Sequence, residues 1–402
     1  MPAGRIMEGS HAVAHAVRLC RPNVISAYPI TPQTHIVEAL AQMVADGEVD
    51  AEFVNVESEF AAASLVLGAS AVGARVYTAS SSQGILLMTE VLYNISGLRL
   101  PVILTCVNRS VSAPLNIWND QQDSISVRDA GWMQFYAEDP QEVADLHICA
   151  YKIAEDKRVL LPAMVCMDGF LLSHVFEAVE IPEQETVDSF LPPYKPVHTL
   201  DPDHPLTMGA YADPETYLEI RYILNQAMVG AHDVIADIAQ QFTDTFGRKI
   251  YPFVEPYRME DAETALIAMG SIAAVAKDAV DERRARGERV GVLRVVTFRP
   301  FPGKEIVEAL QGVKTVGVLD KSISLGAGGP LAIEVRNALH GVDGPAVSGF
   351  ILGLGGRDVS TQSIHGVIDR LKGPPGDTLF VDLDRELVGE LARTWEREWQ
   401  PA

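Results

Sequence analysis

The chain has 402 residues, enough for two or three domains and a large core, with 48% hydrophobic and 21% charged residues, as in ordinary globular proteins. No apolar run reaches the roughly 18 residues of a membrane span. A formal net charge of −22 argues against nucleic acid as a partner, because phosphates need a basic face. His11, His15 and Arg18 break the N-terminal stretch, so no secretory leader is expected and a cytoplasmic location follows.

In chain order, apolar runs alternate with helical patterns. Strands are expected at 23–28, 52–56, 75–79, 101–107 and 160–167, with helices at 33–46, 59–72, 83–97 and 140–156. That rhythm, with strands apolar on both parities, predicts a doubly wound parallel sheet covered by helices on both faces. Residues 176–258 are rich in proline and acid and read as an irregular linker or arm holding one helix near 214–246. The β/α rhythm returns at 263 with a strand, glycine turn, helix and strand, and further strands are expected at 313–319 and 346–352. The expected domains are therefore 1–258, with the arm from about 176, and 259–402.

Ligands of doubly wound sheets bind beyond the carboxyl ends of the strands. Those ends bring to one rim Thr31, Glu57, Glu59, Gln83, Arg109, Asp120, Asp123, Asp168 and His174. Each has a plain structural reading as well. Thr31 before Pro32 is a suitable N-cap for helix 33–46. Glu59, behind Ser58 as N-cap, suits the dipole of a helix whose small uncharged residues predict burial all round. A carboxylate there could equally grip a ring nitrogen. Arg109 is either a solvated loop arginine or a bidentate carboxylate clamp. Asp168 and His174 suit a loop-stabilising role. "NDQQD" at 119–123 is a weak metal pattern and equally a helix start near Gln122. Cys20, Cys106, Cys149 and Cys166 match no metal spacing and read as buried small hydrophobes. The glycine turns at 269–274 and 324–330 fit no nucleotide-binding fingerprint.

Taken in order, "YPITP" (28–32), "ESEFAAASLVLGAS" (57–70), "SSSQGILLM" (80–88), "NRSVSAPLNIWNDQQD" (108–123), "DGFLLSH" (168–174), "AMGSIAAVAKDAVDE" (268–282), "RPFP" (299–302), "LDKSISLGAGGPL" (319–331) and "GLGGRDV" (353–359) form a specific set. The chain resembles the α subunit of 2-oxoacid:ferredoxin oxidoreductases, most of all the pyruvate kind, over nearly its whole length. The resemblance implies an α/β fold: a thiamine-diphosphate pyrimidine-binding domain followed by a transketolase C-terminal-like domain. It implies that Glu59 contacts N1′ of the aminopyrimidine, that Pro29 and Thr31 lie against cofactor and substrate, and that Arg109 binds the substrate carboxylate. Phe60 and Ala61 depart from the Ala-Gly of many relatives. The implied reaction is coenzyme A-acylating oxidative decarboxylation of a 2-oxo acid, pyruvate favoured. The alternatives are a branched-chain or aryl 2-oxo acid, NAD as final acceptor, or a non-catalytic scaffold subunit. The sequence holds neither a GDG…NN pattern nor a C-x-x-C. The diphosphate and magnesium site is thus expected on a β subunit. Iron–sulfur clusters are expected on γ and ferredoxin-like subunits, with ferredoxin or a similar acceptor beyond them, and the chain alone is expected to be inactive.

Overall fold

A strand covered by helices on both faces is buried at every position and mostly apolar, and three such segments lie side by side. Val76–Ser80 (β4), Ile103–Asn108 (β5) and Ala163–Asp168 (β7) are buried throughout. In a computed structural model that describes residues 4–376 and 378–398, they form the centre of a seven-stranded sheet. The expected outer limits, Met1 and Ala402, lie outside the described residues.

The other strands are Arg5–Glu8 (β1), Val24–Ala27 (β2), Glu52–Asn55 (β3), Met133–Tyr136 (β6), Phe176–Val179 (β8), Val254–Tyr257 (β9), Thr264–Met269 (β10), Val290–Val295 (β11), Thr297–Arg299 (β12), Thr315–Asp320 (β13), Ala346–Ile351 (β14) and Leu379–Phe380 (β15). The first sheet runs β12-β6-β7-β5-β4-β2-β3, parallel except for β12. The second runs β15-β14-β13-β10-β11-β9, parallel except for β9. Both are the α/β layers that the strand–helix rhythm predicts.

Three local expectations are corrected. Helix Glu59–Ala71 buries one face, through Ala62, Ala63, Val66, Ser70 and Ala71, and leaves Phe60 39% exposed, so it is not buried all round. The single helix expected over 83–97 is two, Ser82–Leu87 and Thr89–Gly97, joined at Met88. The 176–258 segment holds more order than its composition suggests. β8 pairs antiparallel with β1, Gln184–Phe190 is a short helix, and Tyr217–Phe246 is a 30-residue helix ended by Gly247 at φ 70°.

The two sheets exchange strands: β9 precedes the second sheet's first parallel strand and joins its edge, while β12 returns to the edge of the first. Arg294, buried on β11, reaches Glu142 of helix Pro140–Ala154 at 2.6 Å and Glu255 of β9 at 2.6 Å. Arg294 thereby ties β11 of the second sheet to the first turn of a helix that packs on the first.

Candidate active site at the strand ends

The turn after β2 carries the first candidates. Pro29 and Thr31 are exposed. The helix begins at Thr34 with Gln33 as N-cap and no side-chain cap, so Thr31 is not the helix cap the sequence suggests. Gln33 does the local work instead. Fully buried, it accepts the Ile30 N–H at 3.2 Å through Oε1 and donates through Nε2 to the Ala79 carbonyl at 3.0 Å. The turn is thus tied to β4 and the Thr31 hydroxyl has no hydrogen-bond partner among the described residues.

Glu59 opens its helix behind Ser58, whose Oγ accepts the Ala61 N–H at 3.2 Å. It is only 7% exposed, yet no described group hydrogen-bonds or ion-pairs its carboxylate. The facing backbone is Gly84. A Cβ there would stand 2.8 Å from Glu59 Oε1 and press on Ser80 Oγ. Ser80 Oγ and Gln83 Nε2 are themselves buried and unpaired. An unpaired carboxylate and unpaired hydroxyl around a glycine notch form a polar cradle with no internal partner.

Arg109 leaves β5 and is 7% exposed. Its Nη1 donates to the Thr31 carbonyl at 2.9 Å and its Nε to the Asn116 carbonyl at 3.0 Å. Burial lowers its pKa, with Asp123 acting in the opposite sense. Both Nη2 hydrogens and one on Nη1 stay available for a ligand. Asp123, in the helix Gln122–Ser126, joins the two halves of the site. Its Oδ2 accepts the N–H groups of Ser82 and Arg109, each at 2.9 Å.

The remaining rim residues divide. Asp168 does more than stabilise a loop: it is buried between the two sheets, accepting Lys321 Nζ at 3.1 Å, the Ser271 N–H at 3.0 Å and Asn119 Nδ2 at 3.2 Å. Burial would raise its carboxyl, but Lys321 and Ser271 hold it below its ordinary value. Gly270, at φ 74°, makes this approach possible, since a Cβ there would meet Gln121 Nε2 at 2.6 Å. Asp120 accepts the N–H of Gly355 at 3.1 Å and of Gln122 at 3.0 Å, and burial pushes it up to about 6. His174 accepts from or donates to Ser173 Oγ at 2.7 Å and lies over His35, which bonds Glu8 at 2.6 Å. Glu57 is exposed and joins none of these contacts. Sequence reasoning missed the roles of Ser82, Lys321 and Ser271. The signal for the first was the unbroken run of small polar residues, Ser80–Ser82, at a strand end.

The class of protein follows from this fold together with a thiamine-diphosphate-binding family model that matches it: an α/β subunit of the thiamine-diphosphate enzymes. A split-gene transketolase in its inactive β4 tetramer shares the fold, with TM-score 0.52 at 13% identity over 91% of this chain and 98% of that one. The chain belongs to the pyruvate flavodoxin/ferredoxin oxidoreductase family. The family's thiamine-diphosphate-binding model matches residues 15–240, and its pyruvate:ferredoxin oxidoreductase core domain II matches 262–364. Pyruvate synthase subunit PorA of Methanosarcina barkeri is 52% identical over 95% of this chain and 97% of its own length. The PorA subunit of Methanothermobacter thermautotrophicus is 47% identical over 95% and 99%. Ketoisovalerate oxidoreductase subunit VorA of Pyrococcus abyssi is 43% identical over 92% and 94%. The 2-oxoglutarate:ferredoxin oxidoreductase of Magnetococcus marinus, with 2-oxoglutarate, coenzyme A and succinyl-CoA bound, superposes with TM-score 0.70 at 19% identity. The match takes in 92% of this chain but only 65% of that one, so the present chain spans less than two thirds of that enzyme chain. The chain is thus an α subunit of the thiamine-diphosphate-dependent 2-oxoacid oxidoreductase type.

The cradle fits the pyrimidine half of that cofactor. A buried carboxylate lacking a partner suits a ring nitrogen, and Ser80 supplies an unpaired hydroxyl beside it.

Proposed function

We propose that this subunit supplies the pyrimidine half of a thiamine site completed by a β subunit, and that it holds the 2-oxo acid there. The observation that carries this reading is the buried, unpartnered carboxylate of Glu59 at the notch of Gly84. Glu59 would hold the N1′ nitrogen of the aminopyrimidine through its unpartnered carboxylate. A carboxylate at a helix N-terminus with no competing donor is free to do so. Pro29 and Thr31, exposed on the turn after β2, would line the side of the site that takes cofactor and substrate. Arg109 uses its three free N–H groups on the substrate carboxylate while two carbonyls hold its plane. The Thr31 hydroxyl, uncommitted to helix capping, donates to the 2-oxo oxygen as charge develops there. When bound, thiamine diphosphate supplies the nucleophilic carbon and the electron sink for decarboxylation.

Other requirements fall to partners in this reading. The 402 residues contain no GDG…NN and no C-x-x-C, so magnesium and the diphosphate belong to the β subunit. Iron–sulfur clusters belong to γ and ferredoxin-like subunits that deliver electrons to ferredoxin. Coenzyme A takes the acyl group, as the ligands of the 2-oxoglutarate enzyme suggest. No described helix is long and apolar enough to cross a membrane, and we place the complex in the cytoplasm.

A second reading keeps the chemistry and changes the substrate to a branched-chain 2-oxo acid, favoured by the 43% identity to VorA. Both are tested by co-expressing the subunit with its partners and measuring viologen-linked oxidation of pyruvate, ketoisovalerate and 2-oxoglutarate with coenzyme A. Pyruvate is expected to have the highest kcat/KM, and Glu59→Gln to abolish turnover in the assembled complex. Full activity in that variant would leave only a scaffold role.

A further inference from the structure

Asp123 is fully buried, and its two oxygens collect four N–H donors. Oδ2 accepts from the backbone of Ser82 and of Arg109, and Oδ1 accepts Asn108 Nδ2 and the Ser124 N–H, both at 2.8 Å. None of these donors is a cationic side chain, although a buried carboxylate without a cation is costly to keep. The carboxylate is the one side chain of this size whose two oxygens both only accept.

What it holds is specific. Ser82 is a non-glycine residue at φ 49°, a backbone conformation that persists only when its surroundings enforce it. Two constraints do so. Asp123 takes its N–H, and Ser82 Oγ donates to the Ser110 carbonyl at 2.5 Å. Two residues further on, Gly84 abuts the Glu59 carboxylate. On the other arm, the Arg109 N–H shares the same Asp123 oxygen, and its guanidinium reaches Thr31. No hydrogen bond joins Glu59 to Arg109 directly.

We propose that Asp123 is a positioning residue for the 2-oxo acid reaction: one carboxylate oxygen sets the spacing between the Ser80–Gly84 turn facing Glu59 and the guanidinium of Arg109. This rests on the reading of Glu59 and Arg109 given above. In Asp123→Asn, the amide nitrogen replaces one oxygen, so two of the four N–H groups face another donor. Both arms of the site then shift together.

The test is a double-mutant cycle in the assembled complex, reading KM and kcat for the 2-oxo acid in wild type, Asp123→Asn, Arg109→Gln and the double variant. A misplacement of this kind is expected to raise KM about tenfold in Asp123→Asn, within the range that displacements near 1 Å produce. In KM, which Asp123 affects through Arg109, the double variant is expected to match Arg109→Gln within about twofold, while the shift of the Gly84 arm lowers kcat in Asp123→Asn and the double variant alike. KM increases that multiply, or an unchanged KM in Asp123→Asn beside a raised one in Arg109→Gln, would overturn the inference. An unchanged KM in Arg109→Gln would instead refute the assignment of Arg109, a separate failure visible in the same table. If Asp123→Asn does not assemble, Asp123→Ser, which leaves room for water to take the donors, goes through the same cycle with the same criteria.

Discussion

The Arg109 guanidinium is bonded across 2.9 Å to the backbone carbonyl of Thr31, so the group proposed to hold the substrate carboxylate also fixes the turn that presents the threonine hydroxyl. The two functions share one rigid fork. A lysine keeps the charge but cannot span the Thr31 and Asn116 carbonyls and still offer a planar pair of donors. Arg109→Lys is expected to lower kcat/KM about 100-fold in the assembled complex. Viologen-linked pyruvate oxidation measures it, and a loss under threefold would contradict the bidentate role.

Thr31→Val separates the two readings of its turn. The hydroxyl caps nothing, since the helix starts at Thr34 and Gln33 ties the turn to Ala79. The variant is therefore expected to unfold within about 1 °C of wild type, as surface changes away from structural bonds do. Its turnover is expected to fall by at least tenfold, in the range of one lost donor to a developing oxyanion. A clear drop in melting temperature with normal turnover would return Thr31 to a structural role.

The architecture was legible because helices cover both faces of a parallel sheet, which forces continuous apolar strands such as 101–107 and 160–167. The placement of Glu59 and Arg109 was legible for a related reason: charged residues directly beyond such strands, or opening an uncharged helix, stand out. Other features depend on geometry that one dimension hides. β12 was invisible because three residues carry little pattern and its partner β6 lies more than 150 positions earlier. Thr31-Pro32 carries a capping signature, yet the turn continues to Gln33, whose buried amide binds a strand 46 residues away. Asp123 in "NDQQD" read as part of a weak metal pattern or of the helix start that is found there, but its role was hidden because its four donors come from segments scattered over residues 82–124.

Gly84→Ala tests the cradle directly. In a helix, alanine is ordinarily favoured over glycine by about 1 kcal/mol. Here the added methyl would sit 2.8 Å from Glu59 Oε1 and against Ser80 Oγ. The Glu59 carboxylate must then move. The variant is expected to assemble but to bind thiamine diphosphate at least tenfold more weakly, measured by titration of apo-complex with cofactor. Unchanged affinity would mean that the notch does not face the cofactor.

The ion pair between Lys321 and Asp168 lies between the sheets, with side chains 4% and 1% exposed. Removing one partner strands a buried charge. Lys321→Met is expected to cost about 3–5 kcal/mol, while Lys321→Met with Asp168→Asn costs distinctly less. Urea unfolding of the purified subunit reads both. Equal losses in the single and double variants would show that the bonds of Asp168 to Ser271 and Asn119 dominate, and not the charge pairing.

Asp320, at the end of β13, gives the subunit an uncommon pH response. Its oxygens accept the N–H groups of Leu331 and Ala332 at 2.8 and 3.1 Å, at the start of helix Pro330–Ala338. Burial nevertheless pushes its carboxyl up to about 7, against an ordinary 3.8. Between those values the unfolded chain has released this proton while the folded chain retains it. The unfolded state then binds fewer protons, so this group's contribution to stability falls as pH rises through the window and levels off above about 7. Each pH unit inside it is worth up to about 1.4 kcal/mol. Asp120 and Asp145, each pushed by burial to about 6, act in the same sense over a narrower range. Asp168, whose carboxyl is held low, acts oppositely: its stabilisation is lost as pH falls below the ordinary carboxylate value. In Asp320→Asn no proton is exchanged at this site. Urea midpoints measured from pH 4.5 to 8 are expected to decline less steeply toward pH 7 in the variant than in wild type. Parallel profiles would mean that Asp320 is ionised in the folded protein throughout, held by the two helix N–H groups alone.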